Sequence, residues 1–155
     1  MILLHKRSIF SLCFAALLSL AYVADLYSQK HVEWDILADV TFDEKFDEES
    51  GMYWLIPQFG KKVKSFENKE IEMEGYLIPV DAEGKFYVLS RFPYSSCFFC
   101  GAAGPESILE IVFTKDIEHQ SMDDIIRIRG KLQLNADDFE RFNYILEETV
   151  ILSDE

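Results

Sequence analysis

Five short apolar runs, each bounded by turn residues, fill the second half of the chain and constrain its fold most strongly. In the first run, Ile71, Met73 and Leu77 alternate with polar residues, most of them glutamates. Apolar residues at every second position, with charge between them, are typical of a half-buried strand. The runs cover residues 69–77, 85–90, 108–113, 125–134 and 144–152. They predict five β-strands, the first two of which form a hairpin.

Two glycines lie inside predicted strands, Gly75 in the first and Gly130 in the fourth. A glycine in a strand interior often marks a sharp bend or a bulge, as a closing barrel requires. The two glycines have similar neighbours, which hints at two related halves. The predicted fold is mainly β, a small five-stranded OB-like barrel. The alternatives are an open β-sandwich and a split sheet crossed by one helix.

The segment before the barrel, residues 29–68, is less regular and is predicted to be an N-terminal arm that forms one domain with the core, residues 69–155. Residues 51–60 fit a short strand or an extended loop equally well. The acidic stretch at 43–49 lacks the spacing of a calcium loop and indicates a solvated face. At most one short helix is expected, a single turn at 137–142.

The N-terminus has the pattern of a secretory signal peptide. His5, Lys6 and Arg7 precede an uncharged apolar run over residues 8–21, which is short for a membrane span. Residues 1–28 are therefore predicted to be a signal-peptide helix that is cleaved between residues 21 and 28, taking Cys13 with it. The chain is expected to be exported and periplasmic. An uncleaved segment would instead leave it membrane-anchored and facing the periplasm.

The chain is strongly acidic, with 15 Lys and Arg residues against 28 Asp and Glu residues and a net charge of −13. Affinity for nucleic acid depends largely on basic side chains that neutralise phosphates, so a nucleic-acid partner is excluded. Docking on anionic lipid is disfavoured for the same reason. Cations, basic partners or simple solubility are the readings that remain.

A Cys-x-x-Cys motif, Cys97 to Cys100, lies between the second and third predicted strands. In an exported protein the default prediction is a disulfide between these two residues. Zinc binding is the second interpretation, because a glycine after the second cysteine, here Gly101, is common in zinc knuckles. A structural zinc site needs four ligands, however, and His119 is the candidate third. The third reading is a thiol-disulfide redox protein, which the all-β context disfavours.

The residues around the cysteines are predicted to form a partner-binding loop. Phe98 and Phe99 either enter the core or present an apolar contact to a partner. The remaining members of this predicted loop are Gly101, Gly104, Pro105 and Glu106. Because no nucleophile elbow, phosphate loop or His-Glu-x-x-His pattern is present, we expect a non-enzymatic binding or accessory protein.

Three motifs resemble an exported bacterial family, domain of unknown function 3299, across roughly residues 34–152. They are Pro57-Gln58-Phe59-Gly60, then Glu74-Gly75-Tyr76-Leu77-Ile78-Pro79, and Gly104-Pro105-Glu106-Ser107. The resemblance implies no established activity. Because some members are associated with zinc transport systems, it implies periplasmic metal handling, with zinc as the ion. The expected partner of this chain is a metal ion or an envelope protein. The family keeps a cysteine where Cys97 stands, but Phe98, Phe99 and Cys100 depart from the residues that follow it there.

Overall fold

The computed structural model describes residues 30–48, 51–81, 85–117 and 123–152. The predicted signal peptide and His119 lie outside these residues. The chain divides after Lys30, and the second unit, His31–Glu155, holds the barrel. The helices and strands in chain order are β1 (Lys30–His31), α1 (Trp34–Leu37), β2 (Val40–Asp47), β3 (Met52–Phe59), α2 (Lys61–Lys64), β4 (Glu70–Pro79), β5 (Tyr87–Ser90), β6 (Ile108–Phe113), β7 (Asp124–Leu134) and β8 (Tyr144–Leu152).

Strands β4 to β8 close into a five-stranded barrel. The strand order is β4-β5-β6-β8-β7, and β7 pairs back onto β4 from Glu70 opposite Lys131 to Leu77 opposite Asp124. The β6–β8 pair is parallel, whereas the other pairs are antiparallel. This mixed, closed arrangement is that of an OB-type barrel. The predicted mainly β, OB-like fold is therefore confirmed, and each predicted core strand lies within about two residues of its observed bounds.

Gly75 and Gly130 lie where a neighbouring strand leaves no room for a side chain. A Cβ at Gly75 would lie 2.6 Å from the carbonyl oxygen of Ser90, and one at Gly130 would lie 2.6 Å from that of Glu147. The same two Cβ positions also lie 2.9 Å from Leu89 Cγ and 2.8 Å from Leu146 Cγ, respectively. The bend of β4 lets its first part pair with β7 and its last part with β5. The absence of a side chain at these two positions is thus what allows closure.

The barrel interior is filled by fully buried aliphatic residues from every strand and by Tyr144. The Tyr144 hydroxyl donates a 2.7 Å hydrogen bond to the carbonyl oxygen of Leu37 in α1. Burial raises the pKa of Tyr144 far above its ordinary value, so this hydroxyl stays protonated. The bond joins the arm to the last barrel strand. None of the described helices is long and apolar enough to cross a membrane.

The arm is more regular than the sequence predicts. Strands β2 and β3, of eight residues each, form an antiparallel hairpin with Val40 opposite Phe59 and Asp47 opposite Met52. Alternation is present in β2, but its high density of carboxylates obscures the pattern. Two single-turn α-helices occur where at most one was expected. One of them, α2, begins where the Asp39 carboxylate accepts a 2.7 Å hydrogen bond from the Lys62 N–H. Because that carboxylate comes from a distant part of the chain, local sequence does not reveal the helix start.

The helical turn expected at 137–142 is not helical. Asn135 organises this connection instead, since its side-chain amide donates 2.7 Å to the Asp138 carbonyl and its oxygen accepts 2.9 Å from the Asp138 N–H. Asparagine side chains compete with helical backbone bonding in this way. The connection therefore runs as turns from β7 to β8.

Candidate functional site

The outer surface is covered where the end of β4 meets β5 and the first part of β6, although strands of a small barrel commonly face water on that side. Ile78 lies opposite Val88, and Val88 lies opposite Glu110, so the three side chains share the outer face. All three residues are buried. All four residues of β5 are buried, which means that both of its faces are covered. The largely apolar character of β5 and β6 is the sequence signal for this cover.

The cover is the segment 91–107, which we call the cysteine loop. Cys97 is completely buried and packs with Ile78, Val88 and the half-buried Phe142 in a second, small apolar cluster outside the barrel. Phe142 comes from the connection between β7 and β8. The first cysteine of the motif therefore fixes the loop to the barrel wall.

Hydrogen bonds hold both ends of the cysteine loop. At its start, the Ser90 hydroxyl donates 2.7 Å to the Phe92 carbonyl, and the Arg91 N–H donates 2.9 Å to the Ser107 carbonyl. In its middle, the Tyr94 N–H donates 2.6 Å to the Asp123 carboxylate. These bonds make the loop a fixed surface within the described structure.

The two cysteine side chains are thiols that share one acceptor. Cys97 Sγ and Cys100 Sγ donate to the Tyr94 carbonyl oxygen at 3.1 and 3.2 Å. Cys97 is buried, whereas Cys100 is exposed. The two sulfurs are thus near neighbours with very different access to solvent. The disulfide expected between them stays a prediction.

The turn through the motif is a single 3₁₀ turn, Phe98–Cys100. The N–H groups of Cys100 and Gly101 donate to the Cys97 and Phe98 carbonyls at 3.1 and 2.9 Å. Gly101 is left-handed, with φ of 70°, as expected of a residue that ends such a turn. Because these N–H groups are bonded to carbonyls, they are not the donors to sulfur that a zinc knuckle would use.

A partly buried ion pair positions Phe142 over Cys97. The Glu110 carboxylate accepts hydrogen bonds from the Arg141 guanidinium and, at 3.3 Å, from the Phe142 N–H. The bond to Glu110 raises the pKa of Arg141 above its ordinary value. Glu110 is the charge in an otherwise apolar strand, and sequence reasoning missed its role and those of Arg141 and Phe142.

Aromatic rings continue from this cluster to the surface. The Phe99 ring lies 6.2 Å from that of Phe142 and 5.9 Å from that of Phe98. Phe98 is half-buried, whereas Phe99 is exposed together with Phe92 and Tyr94. The structure therefore divides the predicted pair: Phe98 is partly covered, and Phe99 is available for contact.

The remaining predicted loop residues lie toward the arm. The turn Pro105–Ser107 is close to α1, and the Glu106 carboxylate is close enough to Tyr144 to contribute to its raised pKa. Across the described parts of the chain, no group of three or more His, Cys, Asp or Glu side chains is arranged to hold a metal ion. His119 lies outside those parts. The set of Cys97, Cys100 and His119 as zinc ligands stays a prediction.

The fold and the site together define an OB-type barrel whose outer strand face is occupied by its own loop. In OB domains, the second and third barrel strands and the neighbouring loops bind oligonucleotides and oligosaccharides. Here the corresponding strands are β5 and β6, and the cysteine loop covers β5 and the adjoining part of β6. The exposed surface in this region therefore belongs to the loop.

No protein-family model matches the chain, and no curated protein matches it. Among solved structures, a DUF3299 family protein from Pseudomonas aeruginosa PAO1 is similar to it, with 11% sequence identity and a TM-score of 0.49. The match covers 82% of this chain and 98% of that chain. That protein belongs to the family that the sequence motifs resemble. Its family name states no activity or ligand.

Proposed function

We propose that the chain is an exported, non-enzymatic binding or accessory domain whose cysteine loop docks a protein partner in the bacterial envelope. The observation that carries this proposal is the arrangement of the loop. Phe92, Tyr94 and Phe99 are exposed on a segment that Cys97 and several hydrogen bonds hold in place. A pre-ordered aromatic surface loses little conformational entropy when it binds, which favours affinity.

Photocrosslinking in cells tests this proposal. A benzophenone amino acid placed at Phe99 is expected to give a discrete protein adduct in the envelope fraction. The matched control places the same group at Ile125, an exposed apolar residue on β7. Equal adducts from both positions, or none from Phe99, would contradict the proposal. A fusion to alkaline phosphatase tests export. The fusion should give phosphatase activity only if the predicted signal peptide is functional.

Thiol-disulfide exchange is the second candidate, and the shared acceptor of the two thiols supports it. Exposed Cys100 would attack a disulfide of a partner protein, releasing one partner thiolate and forming a mixed disulfide. Cys97 would then displace the second partner thiol. The products are a Cys97–Cys100 disulfide and a reduced partner dithiol, so electrons balance. Reversible reduction at a mildly oxidising potential would support this chemistry.

Zinc handling is the third candidate function, and one experiment distinguishes it from the other uses of the two cysteines. Two thiols supply half of a tetrahedral zinc site, so the other ligands would come from His119, from a carboxylate or from a partner. Metal analysis of the purified mature protein, combined with a free-thiol count before and after reduction, separates the cases. Zinc that is lost in both Cys97→Ser and Cys100→Ser supports metal handling. No metal and no free thiol indicates a plain disulfide.

A further inference from the structure

One face of the β2–β3 hairpin is packed at its base and exposed at its tip. Residues directly opposite each other in an antiparallel pair share a face. At the base, Val40 lies opposite Phe59, whose ring packs 5.5 Å from that of Tyr144. Four and six residues further along β2, the same face carries Glu44 opposite Leu55 and Phe46 opposite Tyr53. The apolar face thus continues from the core into solvent.

The tip of this face is strongly exposed for such large apolar residues. Phe46 is 50% exposed, Tyr53 70% and Leu55 48%. The Phe46 and Tyr53 rings lie 5.1 Å apart and therefore form one surface. Scattered exposed apolar residues are ordinary, but a contiguous patch beside packed core residues indicates an interaction site. We call Phe46, Tyr53 and Leu55 the hairpin tip.

Carboxylates surround the hairpin tip. Glu44 lies on the same face as the hairpin tip, whereas Asp43 and Asp47 lie on the other face of β2 and Glu48 lies in the turn. The only basic residue of this strand and its described turn residue is Lys45. A second copy of this chain would bring two such acidic tips together, within a molecule whose net charge is already −13. An anionic membrane would be repelled for the same reason. The charge is complementary to a cationic partner.

We propose that the hairpin tip docks a basic protein segment in which apolar side chains stand beside lysine or arginine. The apolar side chains of the partner cover Phe46, Tyr53 and Leu55, while its cations pair with Glu44 on the same face and are attracted by the neighbouring carboxylates of β2, Asp43 among them. This surface is separate from the cysteine loop, so the inference does not depend on the function proposed above. It would give the domain a second point of contact with protein.

A labelled model peptide tests the proposal with the mature chain. The probe is a fluorescent seven-residue peptide of alternating lysine and leucine, and its anisotropy is followed during titration. Binding is expected to weaken by at least about tenfold in Phe46→Ser/Tyr53→Ser, because aromatic contacts dominate such interfaces. It should weaken similarly in Asp43→Lys/Glu44→Lys and with rising salt. Hydrogen exchange should show peptide-induced protection confined to residues 42–57.

Two matched variants serve as controls. Ile125→Ser removes an exposed apolar side chain from β7, and Glu67→Lys/Asp116→Lys makes the same change in net charge outside the hairpin. Both should retain peptide affinity within about twofold, since neither alters the tip. If the serine double variant melts early, the charge variant at Asp43 and Glu44 decides the test, because those side chains are exposed.

Four results would overturn the proposal. Equal loss of binding in the controls would mean that the peptide recognises the overall charge of the domain or its exposed apolar surface in general. A concentration-dependent dimer in sedimentation, abolished by Phe46→Ser/Tyr53→Ser, would identify a second copy as the occupant. Binding to phosphatidylglycerol vesicles, lost in the same variant, would identify a membrane. An alternating glutamate and leucine peptide that binds as well as the lysine peptide would remove the charge argument.

Discussion

Replacing Gly75 by alanine should destabilise the domain because the new methyl group has no space. Its Cβ would lie 2.6 Å from the Ser90 carbonyl oxygen, 2.9 Å from Leu89 Cγ and 3.0 Å from Trp34 Cζ2. Carbon atoms pack favourably at about 3.5–4.0 Å, so each neighbour would have to move by roughly half an ångström or more. Ser90 belongs to the paired strand β5, and the Trp34 ring is held by its 2.8 Å bond to the Glu74 carbonyl. None of these neighbours can move cheaply.

The expected loss follows from two opposing contributions. Overpacking a well-ordered core costs about 1–3 kcal/mol, and the rigid backbone neighbour favours the upper end, about 3 kcal/mol. Alanine also restricts the unfolded chain, which returns about 0.4–1 kcal/mol. The net decrease in the free energy of unfolding is therefore about 2 kcal/mol. At about 4 °C per kcal/mol for a domain of this size, the melting temperature should fall by about 8 °C.

Urea unfolding followed by far-ultraviolet circular dichroism measures this change, with Gly104→Ala as the matched control. The nominal overlap at Gly104 is at least as severe, but it involves only the carboxylate end of the Glu106 side chain, which can rotate away. We expect Gly104→Ala to cost less than about 1 kcal/mol. The reasoning is refuted if Gly75→Ala lies within about 0.5 kcal/mol of the parent, or if Gly104→Ala is equally damaging.

Three further predictions concern charge and thiol chemistry. Glu110→Gln should lower the free energy of unfolding by about 2 kcal/mol, a value between those of surface and buried ion pairs. The reason is that the Glu110 side chain is 9% exposed and that of Arg141 is 34% exposed. Urea titration measures the change, and an unchanged unfolding midpoint would contradict the prediction. In the reduced protein, a thiol reagent should modify Cys100 at least about a hundred times faster than Cys97, since Cys97 reacts only when the loop opens; equal rates would contradict the described packing. Hydrogen bonds from the backbone N–H groups of Phe86 and Lys85 hold the pKa of the Asp81 carboxyl below its ordinary 3.8. The ionised carboxylate therefore stabilises the fold above pH 3.8, and this contribution is lost as pH falls through the lowered pKa. The free energy of unfolding of Asp81→Asn should differ from that of the parent at pH 6 and converge with it in strong acid.

The barrel was predictable because its strands carry their signal locally. Alternation around Ile71 and Met73 and the glycines at 75 and 130 specify half-buried, bent strands. The family resemblance likewise followed from short motifs. Each of these features depends on residues close together in the chain, which is what a single sequence reveals best.

The covered outer face was not predictable because its components meet only in the folded chain. Cys97, Phe142 and Glu110 come from three separate segments, and their contact depends on strand register. The same is true of α2, whose first turn uses the carboxylate of Asp39. In the hairpin, the carboxylates beside Phe46 made an apolar face resemble a solvated one. Long-range packing and charge density, rather than local propensity, hide these features.

Closure of the barrel by pairing β7 onto β4 also has a kinetic consequence. The pairs from Ile71 opposite Gly130 to Leu77 opposite Asp124 join residues far apart in the chain. Hairpins such as β2–β3 need only a short turn to form, whereas this seam requires a large loop to close first. Until it forms, β4 and β7 each present an unpaired edge that can join another chain. Refolding should therefore be slower than that of helical domains and sensitive to protein concentration, with the β4–β7 seam as the last part of the barrel to order.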